Sequence, residues 1–308
     1  MPPDLSVPAI QDIFVYRPGA IGDTLLTLPA LAALRWRFPG CRVTFAGNPA
    51  CLPLLPVDQA LASDDPRLLG LFEEPPRTWR PFDYHVIFAA EPRGLLPGLR
   101  RSAREAASHS QHVADWLVDA IDPTFLDREP RLALAAPAGR LAAGEAPRTE
   151  DASQTLFSET AAGVDSGKRL VLHVGAGSAA KCWPAECFAR LAVALGMPLA
   201  VVRGPADGPA VDRFLEQLPG HLPGAEVWSG LTLVELAARL GGAALFVGND
   251  SGITHLAAAL GVPSLALHIA SDPAIWGIRG ARTRCLAGTS VTVAGALAAC
   301  WVLRQLSA

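Results

Sequence analysis

The chain has 308 residues, of which 50% are hydrophobic and 18% are charged, so it is long enough and apolar enough for two packed domains. Lysine plus arginine number 26 and aspartate plus glutamate 29, for a formal net charge of −3, which argues against a dedicated nucleic-acid binder with its basic surface. Six cysteines without a C-x-x-C pair are too few for a disulfide scaffold and do not match a structural zinc site.

The amino-terminal residues and the apolar runs predict a cytoplasmic protein. Residues 1–12 lack a basic segment followed by an apolar one, so we expect no secretory signal. The longest apolar stretch, Leu256 to Ala270, contains Pro263 and His268 and is too short to span a bilayer.

The first half of the chain predicts a parallel sheet. A β-rich run at Ile13–Tyr16 precedes a glycine-containing turn, a helical pattern at Asp23–Phe38 and a second strand at Arg42–Ala46. This β-loop-α-β order requires parallel strands. A further strand is expected at Tyr84–Ala89 and a helix at His112–Ile121.

A change of composition over residues 134–167 predicts two domains. This stretch is rich in alanine, glycine, proline and polar residues, as linkers are. We therefore expect a first domain over 1–150, a linker over 151–167, a second domain over 168–290 and a carboxyl-terminal helix over 291–308. Strands of the second domain are expected at Leu170–Val174, Leu199–Arg203, Ala244–Val247 and Ser264–Leu267. Helices are expected at Pro184–Leu195, Ala210–Gln217, Leu233–Leu240, Ser251–Leu260 and Val293–Leu306. Two doubly wound α/β halves predict a ligand cleft between them.

The first loop that could bind a ligand or act in catalysis runs from Gly19 through Gly22 to Asp23, at the carboxyl end of the first strand. Glycines allow the backbone to approach a ligand, and Asp23 would project into the cleft. The alternative is that Asp23 only caps the helix, a common role for aspartate. The spacing differs from the G-x-G-x-x-G dinucleotide fingerprint.

The second loop is Gly175-Ala176-Gly177-Ser178-Ala179-Ala180-Lys181-Cys182-Trp183-Pro184. It departs from a P-loop, because alanine stands at 180 where glycine is required and cysteine at 182 where a hydroxyl must hold magnesium. A nucleoside triphosphatase is therefore not expected. Small residues with one ammonium before a helix still suit a diphosphate. The alternative is an ordinary strand-to-helix turn with an exposed Lys181.

The third loop is Gly248-Asn249-Asp250-Ser251-Gly252-Ile253-Thr254-His255. Asp250 and Ser251 suit the cap of the following helix, which leaves the N–H groups of Ser251 and Gly252 free for an anion. A lone histidine is more often structural than functional, but His255 lies one turn into the same helix start. An anion site is the interpretation we favour for this loop.

Three segments in the same order resemble glycosyltransferase family 9, the heptosyltransferases of the lipopolysaccharide inner core. RPGAIGDTLLTLPAL (17–31) resembles the amino-terminal signature of the family, and HVGAGSAAKCWP (173–184) its glycine-rich K-x-W segment. FVGNDSGITHLAAALGVPSLALH (246–268) resembles its D-[ST]-G-x-x-H block. The resemblance implies a GT-B fold, in which two Rossmann-like domains face each other across a cleft. It also implies an inverting, metal-independent transfer of heptose from an ADP-activated donor, without a cofactor.

The resemblance also implies roles for particular residues. Asp23 would be the general base. The donor would be held by Gly22, Gly177, Ser178, Lys181, Asp207, Asp250, Ser251, Gly252 and His255. Asp207 stands where the family has a ribose-binding glutamate and is shorter by one methylene.

The acceptor implied by the resemblance is a glycan or glycolipid at the surface of the inner membrane. Four arginines form a dense basic cluster that would contact an acceptor phosphate, namely Arg93, Arg100, Arg101 and Arg104. The alternative for this cluster is a solvated helix face. Two other functions stay open: a catalytically silent nucleotide-sugar-binding protein and a sugar-nucleotide epimerase of similar fold. The oligomeric state is not predicted.

Overall fold

A computed structural model describes residues 10–89, 98–102, 105–133, 169–219 and 225–306. The chain forms two compact units, Met1–Arg128 and Glu129–Ala308. Each unit contains one parallel sheet flanked by helices, so the predicted α/β fold class is confirmed.

The first unit is built on a five-stranded parallel sheet. Its strands are β1 (Asp12–Arg17), β2 (Arg42–Gly47), β3 (Gln59–Ala62), β4 (Tyr84–Ile87) and β5 (Gly98–Arg100). Its α-helices are α1 (Ile21–Leu25), α2 (Leu28–Arg37), α3 (Glu105–Ser108) and α4 (Val113–Ile121), and 3₁₀ turns cover Leu52–Leu54 and Pro66–Phe72. The strand order is β3-β2-β1-β4-β5. The chain leaves β1 toward one edge and returns to β4 on the other side, so the order reverses between β1 and β4.

The second unit is built on a six-stranded parallel sheet. Its strands are β6 (Leu170–His173), β7 (Leu199–Arg203), β8 (Glu226–Ser229), β9 (Leu245–Asn249), β10 (Ser264–His268) and β11 (Thr283–Ala287). Its α-helices are α5 (Ala185–Leu195), α6 (Gly208–Glu216), α7 (Leu233–Leu240), α8 (Gly252–Ala259), α9 (Pro273–Trp276) and α10 (Val293–Gln305), with 3₁₀ turns at Ala179–Lys181 and Gly288–Ser290. The strand order is β11-β10-β9-β6-β7-β8. Here the order reverses between β6 and β9.

One buried hydrophobic cluster of the second unit lies against one face of its sheet. Alternate strand residues such as Leu170 and Leu172 pack with Phe188 of α5 and Phe214 of α6. Each buried phenylalanine side chain stabilises the fold by about 1.5–3 kcal/mol. The last helix, α10, contributes four buried residues to the same core, namely Ala296, Ala299, Cys300 and Leu303. The predicted carboxyl-terminal helix is therefore part of the core of the second unit.

The predicted helix Asp23–Phe38 is wrong as a single element. The structure has two helices, α1 and α2, joined through Leu26 and Thr27. Pro29 accounts for the break, because it has no N–H to donate to the carbonyl of Leu25 and its ring crowds the preceding turn.

Residues 129–133 lie with the second unit, so the described boundary comes before residue 150. One contact in this segment is the hydrogen bond from Leu132 N to Ala259 O, at 2.8 Å. The predicted linker at 151–167 lies outside the described residues. Within the described ranges, no helix is both long and apolar enough to cross a membrane.

Candidate functional site

The strand order of the second unit brings two of the predicted loops together. Strands β6 and β9 are neighbours, and His173 at the end of β6 pairs with Gly248 of β9. The glycine-rich loop follows β6, and Asp250 follows β9 directly. Ligands of open α/β sheets bind at the carboxyl ends of the strands where the order reverses. This edge is therefore the expected ligand site of the second unit.

The buried side chain of Asn249 joins these two loops. Its Oδ1 accepts a hydrogen bond from the Trp183 backbone N–H at 2.9 Å. Its Nδ2 donates to the carbonyl oxygens of Val174 and Gly175, at 2.9 and 3.2 Å. One amide thus fixes both ends of the glycine-rich loop. We did not predict this role from the sequence, although an asparagine between a buried strand and a capping pair was a usable signal.

Ser251 is the N-cap of helix α8. Its Oγ accepts from the backbone N–H of Thr254 at 3.4 Å, and Gly252 is the first helical residue. The hydroxyl of Thr254 donates in turn to the carbonyl oxygen of Asn249 at 2.6 Å. N–H groups in the first turn of a helix have no acceptor within the helix and attract anions. The start of α8 therefore presents donors at this edge of the sheet.

Lys181 and Asp250 form an ion pair at the same edge. Nζ of Lys181 donates to Oδ2 of Asp250 at 2.8 Å, and the two side chains are 38% and 9% exposed. Burial of Asp250 opposes its ionisation, but hydrogen bonds from Lys181 and Ser271 outweigh this effect and lower its pKa. Lys181 therefore stands partly exposed with its position set by a buried carboxylate.

His268, at the end of β10, is connected to this pair through Ser271. Its Nδ1 lies 2.9 Å from Oγ of Ser271, the same serine that bonds Asp250. The imidazole is 1% exposed, and burial lowers its pKa. No role was predicted for His268 or Ser271 from the sequence. Neither is recognisable from local spacing, because β10 joins the site only through the sheet order.

His173 links Asp207 to Ser251. Its Nε2 lies 3.0 Å from Oδ2 of Asp207, and its Nδ1 lies 3.0 Å from Oγ of Ser251. Asp207 Oδ2 also accepts from the backbone N–H of Gly204 at 2.8 Å. The hydrogen bond with His173 lowers the pKa of Asp207. Both side chains of the His173–Asp207 pair are buried. No role was predicted for His173 from the sequence.

The other predicted donor residues of this unit differ in exposure. Gly177 and Ser178 are exposed in the glycine-rich loop, and a Cβ on Gly177 would meet no atom within 4 Å. His255 is 7% exposed within α8. The predicted contacts of these residues, and of Asp207, with a donor stay predictions.

In the first unit, Asp23 lies at the reversal of strand order beside β1 and β4. Its Oδ1 accepts from Nη2 of Arg17 at 2.6 Å, and its Oδ2 accepts from the backbone N–H of Ala20 at 3.0 Å. Asp23 therefore does cap α1, from the third helical position. Each carboxylate oxygen has two acceptor sites, so both oxygens keep capacity for another donor. The side chain is 31% exposed.

Gly19 shapes the loop around this carboxylate. Its φ is +140°, and a Cβ there would lie 2.8 Å from Oδ2 of Asp23. Asn48 Nδ2 donates to the carbonyl oxygen of Gly19 at 2.9 Å, which holds the loop in place. Gly22 lies in the first turn of α1, next to Asp23, and its predicted contact with the donor stays a prediction.

The predicted basic cluster is only partly described. Arg93, Arg104 and the side chain of Arg100 lie outside the described residues. The guanidinium of Arg101 lies over the Trp116 ring, with its Cζ 3.9 Å from the ring centroid. The backbone of Arg100 is in β5, and Arg101 follows that strand. The alternative prediction, a solvated helix face, is therefore wrong for these two residues.

Within the described ranges, no three histidine, cysteine or acidic side chains are arranged to hold a metal ion.

The comparisons with known proteins agree on the family and on the fold of the chain. The sequence profile of glycosyltransferase family 9 (heptosyltransferase) matches residues 94–293. No curated protein matches the chain in sequence. The ADP-heptose lps heptosyltransferase II of E. coli superposes with a TM-score of 0.71 and 18% identity, over 96% of this chain and 99% of that one.

Two further solved structures share the architecture. The glycosyl transferase family 9 protein of Veillonella parvula DSM 2008 gives a TM-score of 0.73 and 18% identity, over 96% of this chain and 97% of that one. The E. coli heptosyltransferase WaaC with ADP gives a TM-score of 0.64 and 17% identity, over 96% of this chain and 98% of that one. At these identities the superpositions support the GT-B fold, while the profile match covers well over half of the chain.

Proposed function

The chain belongs to glycosyltransferase family 9, and we propose that it transfers a heptose from ADP-heptose to a lipopolysaccharide-core or other glycan acceptor. The proposed reaction is inverting and needs no metal or cofactor. We place it in the cytoplasm, with a glycolipid acceptor bringing it to the surface of the inner membrane. The relatives named with ADP and ADP-heptose support this choice of donor.

The observation that carries the proposal is the arrangement around Asp250. The Lys181 ammonium is 2.8 Å from its carboxylate, and the start of α8 follows two residues later. Both features lie where ligands bind in a doubly wound sheet. We infer that the diphosphate of the donor binds the N–H groups of Ser251 and Gly252 and the exposed side of Lys181.

The proposed base is Asp23. A sugar hydroxyl is a weak nucleophile, and a carboxylate within hydrogen-bond reach accelerates its attack by about 10²–10⁴-fold. Asp23 is partly exposed, and its orientation is fixed by Arg17 and by the Ala20 backbone. These contacts support a preset acceptor for the proton of the attacking hydroxyl.

The proposed step is a single displacement at the anomeric carbon. The acceptor oxygen forms the new C–O bond while the bond to the diphosphate breaks, and the hydroxyl proton passes to Asp23. The diphosphate leaves with an additional negative charge. Lys181 and the first-turn N–H groups of α8 would stabilise that charge as it develops. Attack opposite the leaving group inverts the configuration.

The acceptor side of the proposal relies on Arg101. Its guanidinium lies over the Trp116 ring, and the indole Nε1 donates to the carbonyl oxygen of Ser102 at 2.9 Å. A guanidinium held over an aromatic ring still has N–H groups for an acidic group. We propose that Arg101 binds a phosphate or carboxylate of the acceptor, together with Arg93, Arg100 and Arg104.

The decisive experiment is a transfer assay with purified protein, ADP-heptose and lipopolysaccharide-core acceptors, following ADP release and glycosylated product. We expect product only when donor and acceptor are both present. Conversion of the donor without an acceptor would favour an epimerase instead. Tight ADP-heptose binding with no product from any core acceptor would favour a silent binding protein. A thermal-shift screen of ADP-, UDP-, GDP- and CDP-sugars identifies the nucleotide, because a bound ligand raises Tm.

A further inference from the structure

Three side chains from three neighbouring strand ends form one hydrogen-bonded chain in the second unit. His173 ends the central strand β6, Asp207 follows β7 and Ser251 follows β9. Nε2 of His173 lies 3.0 Å from Asp207, and Nδ1 lies 3.0 Å from Ser251. Both imidazole nitrogens are therefore occupied by groups far apart in sequence.

The protons in this chain can be assigned from its contacts. Asp207 Oδ2 accepts the backbone N–H of Gly204, and an ionised carboxylate only accepts. The proton between Asp207 and His173 must therefore lie on Nε2. In a neutral imidazole the other nitrogen is then an acceptor. When the imidazole is neutral, the hydroxyl of Ser251 therefore donates to Nδ1.

Ser251 has two further contacts, both with Thr254. The Thr254 hydroxyl donates to the Asn249 carbonyl at 2.6 Å, so in the 3.1 Å contact between the two hydroxyls the donor is Ser251, whose proton is shared between Nδ1 of His173 and Oγ1 of Thr254. Ser251 Oγ keeps its lone pairs for the N–H of Thr254, the N-cap bond of α8. The direction of one hydroxyl thus links the buried imidazole to the helix start.

We propose that Asp207 and His173 are positioning residues of the donor site: Asp207 holds His173 as the Nε2–H tautomer, and His173 fixes the Ser251 hydroxyl so that the start of α8 is ready for a diphosphate. The inference rests on the proposed function for its donor. It gives Asp207 a different role from the ribose contact implied by the family resemblance.

The space around Asp207 favours the positioning role. A Cβ on Gly175 would come to 1.9 Å from Oδ1 of Asp207, so that oxygen lies directly against the glycine-rich loop. The Asp207 side chain is only 10% exposed. A glutamate has one more methylene than this slot holds and would lose the contact with His173.

Two substitutions distinguish the positioning role from a ribose contact. Asp207→Asn keeps a carbonyl oxygen that accepts from both His173 and Gly204, whereas Asp207→Glu keeps the charge but not the position. We expect ADP affinity, measured by calorimetry, to stay within a few-fold in Asp207→Asn. We expect it to fall by about tenfold or more in Asp207→Glu and Asp207→Ala, because both lose the acceptor for the Nε2–H of His173. Affinity retained by Asp207→Glu and lost by Asp207→Asn would overturn the proposal.

The tautomer itself is read by ¹⁵N NMR at mildly alkaline pH, where imidazoles are neutral. The His173 signals are identified by their loss in His173→Gln. We expect the Nε2–H form in the wild type and Asp207→Asn, and a mixture in Asp207→Ala. An Nδ1–H form or a mixture in the wild type would overturn the proposal, even if some variants fail to fold. If the wild type binds no ADP or ADP-sugar, the proposed function and the donor-site role fail together, while the spectrum still reports the tautomer.

Discussion

Nη2 of Arg17 lies 2.6 Å from Oδ1 of Asp23, and the arginine side chain is 7% exposed whereas the carboxylate is 31% exposed. Nη1 of Arg17 also donates to the carbonyl oxygen of Phe88 at 3.1 Å, just past β4. The buried cation thus ties Asp23 to the strand beside β1. Burial lowers the pKa of Arg17, and the charge of Asp23 opposes this shift. The pair places the proposed base at a defined point of the sheet edge.

The first prediction concerns the base. Asp23→Asn keeps the size and hydrogen-bond acceptor of the side chain but cannot take a proton at neutral pH. Transfer should fall by about 10²–10⁴-fold, while ADP affinity stays within a few-fold. The matched control is Asp65→Asn, because Asp65 also pairs with an arginine and accepts a backbone N–H at a helix start. Full transfer activity in Asp23→Asn would refute the assignment of the base.

The second prediction concerns stability at the same pair. Asp23→Ala leaves the buried Arg17 charge with the Phe88 carbonyl as its remaining hydrogen-bond partner in the described structure. The free energy of unfolding should fall by about 1–3 kcal/mol, the cost of an uncompensated buried group. The double variant Arg17→Met/Asp23→Ala removes that charge and should recover part of the loss. Urea unfolding measures both, and equal stability of the single and double variants would contradict the explanation.

The third prediction tests Lys181. Lys181→Ala removes the ammonium and leaves Asp250 with the Ser271 hydrogen bond but without a cation beside the proposed diphosphate. ADP affinity by calorimetry should fall by about tenfold or more, since a charge-assisted hydrogen bond is lost and a repulsion is added. The control is Lys168→Ala, which removes the other lysine of the chain. Unchanged affinity in Lys181→Ala would remove this residue from the donor site.

The fourth prediction compares two glycines of one loop by thermal unfolding. Gly175→Ala puts a methyl group into the space of Asp207 Oδ1, whereas Gly177→Ala meets nothing within 4 Å. We expect Gly175→Ala to lower Tm by several degrees, in line with about 1–3 kcal/mol for overpacking. Gly177→Ala should leave Tm nearly unchanged. The opposite order would mean that Asp207 does not occupy the slot beside Gly175.

The fifth prediction is a pH dependence of stability from His268. Burial lowers the pKa of this imidazole, so the unfolded chain binds its proton at a higher pH than the folded protein does. The resulting stability is fully present above the unfolded pKa of about 6.5 and is lost as pH falls below it. His268→Phe should flatten the stability curve between about pH 5 and 7. Urea unfolding at several pH values measures the slope, and an equal slope in both proteins would contradict the prediction.

The sequence predicted those elements whose local pattern is strong. Strand Leu199–Arg203 and helix Leu233–Leu240 have the predicted bounds, because one is a continuous apolar run and the other begins with a capping box at Thr232 and Glu235. Strand β8 was not predicted, since it is only four residues long and Trp228 alone is fully buried in it. Short edge strands lack a periodic signal of their own and form by pairing with a neighbour.

The sequence predicted the loops of the candidate site but not the hydrogen bonds that join these loops. Glycines and small polar residues after a strand identified the loops that carry Lys181, Asp250 and Ser251. His173 and His268 were not predicted as parts of the site. His173 meets Asp207 and Ser251 only through the sheet order, and Ser271, the partner of His268, meets Asp250 in the same way. His173 and Asp207 are 34 positions apart in the sequence, and no local spacing encodes that contact.

Asn249 makes the two loops of the second unit behave as one body. Its amide spans the backbone of both ends of the glycine-rich segment, so their order is established when the protein folds. Binding of a ligand there would cost little conformational entropy of the protein chain. The residence time of the ligand would then depend chiefly on its contacts with the loops rather than on a rearrangement of the loops.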